Sequence, residues 1–206
     1  MKAKFTKGIA LVTKIKTLNI SSRKLHATLI VFYLAIFSLF INAASANESR
    51  VEAISTKAVA AKVLIIVSSD SHGYWLPEVL EPYEILEKSG YQIDIASPKG
   101  GKGKASGVAR LSNSQEKWFS QSKLKQQLKQ SIALEDVDHD KYRAVYFAGG
   151  AGPMFDLVDN ITAHNITRQI YESGGIVSAD CHGPVALINV LLSNGERLIA
   201  GKKITA

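Results

Sequence analysis

The sequence predicts an α/β domain with a mainly parallel β-sheet, and three observations indicate this fold class. Short, continuous apolar runs such as residues 62–68 are typical of strands that are buried on both faces of a sheet. Stretches with apolar residues at helical spacing separate these runs. Turns that contain glycine or proline join the two kinds of segment. Because strands and helices alternate, right-handed crossovers would make the sheet parallel.

The first half of the domain is predicted to contain two strands and two helices. Proline fits only the first turn of a helix, so the first helix is predicted to begin between Pro77 and Pro82 and to end at Gly90. A stretch rich in glycine, lysine and serine predicts an irregular loop before the second helix. The predicted elements are strands 62–68 and 91–96, helices 78–89 and 115–134, and the loop 98–114.

The second half repeats the alternation. A glycine-rich turn follows the third strand, and Gly174 ends the third helix. Pro184 occupies the first position of the last helix, where its missing N–H costs nothing. The predicted elements are strands 142–148 and 176–180, the turn 149–153, and helices 160–173 and 184–192.

Residues 1–46 have the pattern of a secretory signal peptide. They contain seven Lys or Arg residues and no Asp or Glu, and their apolar run 27–41 is shorter than the roughly 20 residues of a bilayer span. Ala44-Ser45-Ala46 matches a signal-peptidase site. We expect cleavage after Ala46 and export to the periplasm, with an uncleaved signal anchor as the alternative. Residues 47–61 are small and polar and are predicted to be a linker.

The charge distribution argues against a nucleic-acid-binding protein. The net charge is +7, but 18 of the 25 basic residues lie after residue 46, where they balance all 18 acidic ones. The predicted domain therefore has no overall electrostatic attraction to nucleic acid or to an anionic membrane. We expect no stable membrane insertion once the signal is cleaved.

Three candidate functional pieces follow predicted strands. Glu78 follows the first strand, a glycine turn the third and Cys181 the fourth, and sites in such sheets form at the carboxyl ends of strands. A sharp strand-to-helix turn exposes a nucleophile, and the helix N–H dipoles favour the thiolate. The alternatives are an inert buried cysteine at 181 and a solvated carboxylate at 78. His182 is either an acid–base group or a residue packed beside the turn.

Other signals are weaker. The segment 100–104 imitates a phosphate-binding loop but lacks its full spacing. Acidic residues and His139 in the segment 136–140 precede a strand in a solvated turn, and no histidine pair has metal-ligand spacing. We therefore expect no metal and no cofactor. The single cysteine excludes an intramolecular disulfide.

Four segments resemble the DJ-1/PfpI superfamily, which is related to class I glutamine amidotransferases. The match is closest to its heat-shock-chaperone branch, whose members have glyoxalase III activity. It runs in order from about residue 62 to residue 206. The segments are Leu76-Pro77-Glu78-Val79-Leu80-Glu81-Pro82-Tyr83, residues 90–98, residues 149–157 and Cys181-His182-Gly183-Pro184.

The resemblance implies a flavodoxin-like three-layer sandwich over residues 62–206. It implies that Cys181 is the nucleophile, that Glu78 is its hydrogen-bonding acid–base partner and that His182 lies beside them. It also implies a substrate or oxyanion pocket formed by backbone N–H groups near Gly150 and of His182, with Gly149, Gly150 and Gly152 lining it. The chain departs from the family at Ala151, where histidine is usual.

The family continues past the position of Ala206, so we expect a domain whose last elements are missing. Such a domain would expose apolar side chains on strands 142–148 and 176–180, and it would be marginally stable, aggregating or dimerising.

The first functional hypothesis is glutathione-independent conversion of methylglyoxal, a small reactive aldehyde, to lactate, with a role in stress protection. The second is a chaperone (holdase) or deglycase-like stress protein without this turnover. The third is a cysteine peptidase or amidotransferase-like hydrolase. An amidotransferase normally has a catalytic histidine later in the chain, whereas His182 is the last histidine here.

Overall fold

The computed structural model describes residues 62–205, and it has the α/β fold that the sequence predicts. The predicted signal peptide and linker lie outside the described residues. The strands are β1 (Lys62–Ile66), β2 (Tyr74–Trp75), β3 (Gln92–Ser97), β4 (Ala105–Ser106), β5 (Ile132–Ala133), β6 (Tyr142–Phe147) and β7 (Ile176–Ala179). The α-helices are α1 (Leu76–Lys88), α2 (Asn113–Gln121), α3 (Lys123–Gln127), α4 (Pro153–Asp156) and α5 (Ile161–Glu172). Short 3₁₀ helices are Val108–Arg110, Leu134–Asp136, His139–Lys141 and Gly183–Leu187.

The main sheet has five parallel strands in the order β5-β3-β1-β6-β7. Leu64 of the central strand β1 pairs with Asp94 of β3 on one side and with Val145 of β6 on the other. The chain therefore builds the sheet outward from β1 in one direction and then in the other. Such a reversal creates a crevice at the carboxyl ends of the two central strands, where α/β sheets bind ligands.

Two hydrophobic cores form on the two faces of the sheet. The first core contains Leu64, Val145 and Phe147 and is covered by α5, whose Ile166 and Ile170 pack into it. The second core contains strand residues of β1 and β3 and is covered by α1 together with α3 and its neighbour Leu128. The strands alternate between these faces because successive side chains point in opposite directions.

The start of α1 differs from the prediction. The helix begins at Leu76, before both prolines, so that Pro82 lies inside it. Proline has no N–H for the carbonyl four residues earlier, which is that of Glu78. The Tyr146 hydroxyl donates a hydrogen bond to this carbonyl oxygen at 2.8 Å. A side chain from the sheet thus replaces the missing helical hydrogen bond, which explains why the proline is tolerated.

Two other predicted helices were wrong in extent. The helix predicted over 115–134 is divided at Ser122, whose backbone is extended (ψ 155°) and whose hydroxyl bonds to the Phe119 carbonyl. Its last residues instead form the edge strand β5. The helix predicted over 184–192 is a short 3₁₀ helix that ends at Leu187. Periodic apolar residues specify a buried face but not the local hydrogen-bond pattern. The sequence therefore did not predict the break at Ser122 or the end of the last helix at Leu187.

The loop predicted over 98–114 also contains structure. It includes β4, which pairs with β2 in a small two-stranded sheet, the 3₁₀ helix Val108–Arg110 and the start of α2. The turn predicted over 149–153 leads directly into α4. Within residues 62–205, none of the helices is both long enough and apolar enough to cross a bilayer.

Candidate active site

Cys181 lies at a strained turn between β7 and the 3₁₀ helix that follows. Its φ of 47° makes it the one non-glycine residue with a positive φ in the described part of the chain. The turn is fixed on both sides, since the Asp180 N–H donates to the Phe147 carbonyl and the Gly183 N–H to the Asp180 carbonyl. The thiol is free and exposed. A non-glycine residue is held in this conformation only when its surroundings require it, and such strain is concentrated at functional sites.

Gly149 brings Glu78 and Cys181 together. A β-carbon at residue 149 would lie 2.5 Å from Glu78 Oε2, 2.6 Å from Cys181 Cβ and 3.0 Å from the backbone nitrogen of His182. Only a residue without a side chain allows this approach. The Glu78 carboxyl group and Cys181 therefore both contact the backbone at the end of β6.

Gly150 positions the start of α1. Its φ of 95° and the 2.6 Å that would separate a β-carbon from the Trp75 nitrogen both require glycine. The Trp75 N–H donates to the Gly149 carbonyl at 3.1 Å. Because Trp75 directly precedes α1, this contact sets where the helix begins and places Glu78 in its first turn.

Burial is the main influence on the Glu78 carboxyl group, and it raises the pKa of Glu78. The charge of Asp180 raises this pKa further, while the Cys181 thiol, the Gly149 N–H and the charge of His182 lower it. Glu78 Oε2 is buried and has no hydrogen-bond partner among the described residues. A carboxyl group with a raised pKa keeps its proton to higher pH than an exposed one, which suits it to proton transfer next to a thiol.

His182 is oriented by the glycine turn. Its Nδ1 lies 3.1 Å from the Gly150 carbonyl oxygen, so we assign the proton of the neutral ring to Nδ1. This leaves Nε2 as an acceptor. The ring lines a small pocket with Met154 and Pro184, whereas Glu78 lines a separate groove described below. His182 thus lies beside Cys181 in sequence and borders a different cavity from Glu78.

The backbone N–H groups near Cys181 differ in their availability. The Gly152 N–H donates to the Gly73 carbonyl at 2.8 Å, so it holds the loop and has no hydrogen to offer to a substrate. Among the described residues, we find no acceptor for the N–H groups of Gly150 and His182. The oxyanion pocket that the resemblance implies therefore depends on Gly150 and His182 rather than on Gly152.

Sequence reasoning missed two residues of the site, Asp180 and Tyr146. Burial raises the pKa of Asp180, whereas the Tyr146 hydroxyl and the Gly149 N–H lower it. Burial also raises the pKa of Tyr146, with the charge of Asp180 as the next cause. Asp180 could have been found, because it directly precedes the candidate nucleophile, whereas nothing in the sequence points to Tyr146, whose contact with α1 spans 68 residues.

An open apolar groove of about 900 Å³ extends from Glu78 along α1 and over β6 and β7. Two of its large apolar side chains are mostly exposed, Ile85 at 65% and Ile176 at 67%. Of the apolar strand residues expected to be exposed, Ile176 of β7 is exposed. The expectation was wrong for the strand 142–148, because Tyr142, Val145 and Phe147 are buried in the first core. The groove is lined by Lys62, Val63, Trp75, Pro77, Glu78, Glu81, Pro82, Ile85, Leu86, Tyr91, Arg143, Ala144, Tyr146, Ile176, Ser178 and Asp180.

Between residues 62 and 205, no group of three or more His, Cys, Asp or Glu residues is arranged to hold a metal ion. The predicted acidic turn at 136–140 contains only local ion pairs, such as Lys141 with Asp138 at 3.3 Å.

Comparison with known proteins gives a consistent result. The sequence model of the DJ-1/PfpI family matches residues 61–206. "Glyoxalase 3" of Candida albicans is 34% identical over 139 residues, which are 65% of this chain and 59% of that protein. The "glutathione-independent glyoxalase hsp3101" of Schizosaccharomyces pombe is 27% identical, over 70% of this chain and 66% of the relative. The chain thus spans about six tenths of the length of these curated relatives.

Solved structures agree with these relatives. Glyoxalase III of Candida albicans superimposes with a TM-score of 0.66 at 32% identity, covering 71% of this chain and 68% of the other. The rapid encystment protein REP24 of Francisella tularensis has a TM-score of 0.64 at 35% identity, covering 69% and 68%. The similarity therefore extends from the sequence to the arrangement of the sheet and its helices.

Proposed function

The chain belongs to the DJ-1/PfpI family, and from this premise we propose that it is a glutathione-independent glyoxalase that converts methylglyoxal to lactate. The observation that carries the proposal is the convergence of the Glu78 carboxyl group and Cys181 on Gly149. An exposed thiol at a strained turn suits attack on a small aldehyde. The names of the relatives from Candida albicans and Schizosaccharomyces pombe support the same reaction.

The first step is the addition of Cys181 to the aldehyde. The thiolate sulfur forms a bond to C1 of methylglyoxal, and the electron pair of the C=O bond moves to oxygen. The N–H groups of Gly150 and His182 would stabilise the developing negative charge. Glu78 donates its proton to this oxygen, which gives a hemithioacetal and leaves Glu78 as a carboxylate.

The second step moves a hydrogen from C1 to C2. The Glu78 carboxylate removes the C1 proton to give an enediolate intermediate and then returns the proton to C2. The remaining hydroxyl proton moves from the C1 oxygen to the C2 oxygen, which gives a lactate thioester of Cys181. Water then forms a bond to C1 and the C–S bond breaks. One of the two protons released restores Glu78, and the other enters solvent with lactate.

Turnover by the full chain tests this proposal. Methylglyoxal loss and lactate formation are measured without glutathione for the wild type, Cys181→Ser, Glu78→Gln and Glu87→Gln. We expect both site variants to lose about 10² or more of the rate, because each removes a group that acts on the reacting atoms. Glu87 is a half-buried carboxylate on the same helix that does not line the groove, so Glu87→Gln should retain full activity. Wild-type protein that is folded yet forms no lactate would contradict the proposal.

A second candidate function is a holdase activity, which the open apolar groove favours. Exposed Ile85 and Ile176 could bind apolar segments of unfolded proteins. In that case Cys181→Ser would suppress aggregation of a heat-denatured client protein as well as the wild type does. Replacing Ile85 and Ile176 by lysine would abolish the suppression without affecting turnover.

We also propose that residues 1–46 direct export to the periplasm. The basic region, the apolar run and Ala44-Ser45-Ala46 support this. N-terminal sequencing of protein from the envelope fraction should begin at or near Asn47. Uncleaved protein in the cytoplasmic fraction would contradict export.

A further inference from the structure

Asp180 lies in the wall of the same groove as Glu78 and directly precedes Cys181. Its backbone is fixed by hydrogen bonds to Phe147 and Gly183, so its Cα cannot shift without disturbing the cysteine turn. Its Oδ1 atom is buried and, within the described residues, has no hydrogen-bond partner. The same is true of Glu78 Oε2. Two unsatisfied carboxylate oxygens therefore border one end of one groove.

This arrangement costs free energy. A buried carboxylate oxygen without a partner forfeits its hydration, and two like charges close together repel each other. An apolar residue at position 180 would avoid both costs. A local feature that conflicts with stability without an evident compensating gain is expected at functional sites.

Burial raises the pKa values of both Glu78 and Asp180, and the charge of Asp180 acts on Glu78. The charge of Asp180 raises the pKa of Glu78. The pKa of Asp180 is raised by burial, but the Tyr146 hydroxyl, the Gly149 N–H and its own backbone N–H all lower it. The other titratable groups that act on the pair are Glu81 of α1 and Cys181 and His182 of the turn.

We propose that Asp180 is a positioning residue for the proposed glyoxalase reaction, on which this inference rests: its negative charge holds the proton on the neighbouring Glu78 carboxyl group in the resting enzyme. Glu78 is then ready to protonate the oxygen that forms when Cys181 adds to the aldehyde. Asp180 touches no reacting atom in this scheme. It acts through Glu78, and its removal should affect kcat more than KM.

The test follows the Glu78 proton directly. Full-length protein labelled with ¹³C at the glutamate side-chain carboxyl carbon is titrated by NMR, and the signal absent from Glu78→Gln is assigned to Glu78. We expect the Glu78 midpoint to move to lower pH in Asp180→Asn and to remain near that of the wild type in Asp180→Glu, which keeps the charge. The acid limb of the kcat–pH profile should move in the same direction, with a loss of kcat smaller than the ~10²-fold effect expected for Glu78→Gln.

An unchanged Glu78 midpoint in Asp180→Asn would overturn the inference. A loss of kcat in Asp180→Glu as large as that in Asp180→Asn would also overturn it. If Asp180→Asn does not fold, the wild-type titration still decides, because a Glu78 midpoint at or below that of the half-buried Glu87 contradicts the inference. The NMR titration does not need turnover. A protein that shows the expected shift but forms no lactate would refute the proposed function and leave the Asp180–Glu78 coupling intact.

Discussion

The two faces of the sheet are covered to different extents over the same two strands. On the first face, Val145 and Phe147 of β6 are fully buried beneath α5 and its neighbours. On the second face, α1 covers β1 and β3, while Tyr146 of β6 and Ile176 of β7 border the open groove. Alternating residues of one strand therefore belong to a closed core and to an open cavity.

This difference shows how the fold separates stability from chemistry. The closed face holds the ends of β6 and β7 in place and so fixes the backbone at Gly149 and the Cys181 turn. The open face admits solvent as far as the Glu78 and Asp180 carboxyl groups, which are buried enough for their pKa values to rise. The candidate site lies where the covered half of the second face meets the open half.

The largest expected difference between the two faces is in the free energy of unfolding after substitution of Phe147, on the closed face, and of its neighbour Tyr146, on the open face. Phe147→Ala leaves a cavity in the closed core and should lower the free energy of unfolding by about 3–5 kcal/mol. Tyr146→Phe removes the hydroxyl that bonds to the Glu78 carbonyl and acts on Asp180, and should cost about 1–3 kcal/mol because the carbonyl loses its donor. Urea denaturation measures both values. Equal losses of unfolding free energy in the two variants would contradict the difference between the closed and the open face.

Gly149→Ala should damage the site more than the fold. Its methyl group would collide with Glu78 Oε2 and Cys181 Cβ, and such overpacking costs about 1–3 kcal/mol. We expect methylglyoxal turnover to be lost while the protein remains folded. Gly174→Ala is the matched control, since no atom lies within 4 Å of the added carbon there. It should cost stability through backbone strain alone and leave turnover unchanged.

The buried carboxyl groups predict a specific pH dependence of stability. Because the pKa values of Glu78 and Asp180 are raised in the folded state, the folded protein binds more protons than the unfolded chain between the unfolded and folded pKa values. Their contribution to stability is therefore lost as pH rises through that window and is fully present below it. Glu78→Gln should raise the melting temperature at pH 7 and flatten this part of the profile. An unchanged profile would mean that Glu78 is not buried as described.

The smallest effect is expected at Ile176. Its side chain is exposed in the groove, so Ile176→Ser should change the free energy of unfolding by about 0.5 kcal/mol or less. The adjacent Val177 packs against the first core, and Val177→Ser should cost clearly more. Thermal melting of the two variants measures the difference. A large loss for Ile176→Ser would show that the open face is covered in solution.

The sequence predicted best those elements whose structure depends mainly on the pattern of apolar residues along the chain. Apolar patterns, a continuous run in β1 and an alternation in β3, predicted all four long strands, and the structure has a turn at Cys181 where the sequence predicts one. Residues 160–173 were predicted as a helix and form α5 with nearly the same bounds.

Most of the failures have a common physical cause, which is a partner distant in sequence. The start of α1 could not be predicted because the hydroxyl that tolerates Pro82 comes from Tyr146 in β6. The order of the strands and the approach of Asp180 to Glu78 depend on tertiary packing in the same way. The division at Ser122 depends on one local hydrogen bond that apolar periodicity does not encode.

The central claim is that Cys181, exposed at its turn and paired with Glu78, is the nucleophile. Iodoacetamide tests it most directly, because Cys181 is the only cysteine in the chain and every alkylated thiol is therefore identified. We predict that the native protein reacts below pH 7.5 much faster than a free cysteine derivative, and that Glu78→Gln changes this rate whereas Glu87→Gln does not. A thiol that reacts only after denaturation, or at a rate that Glu78→Gln leaves unchanged, would contradict the account.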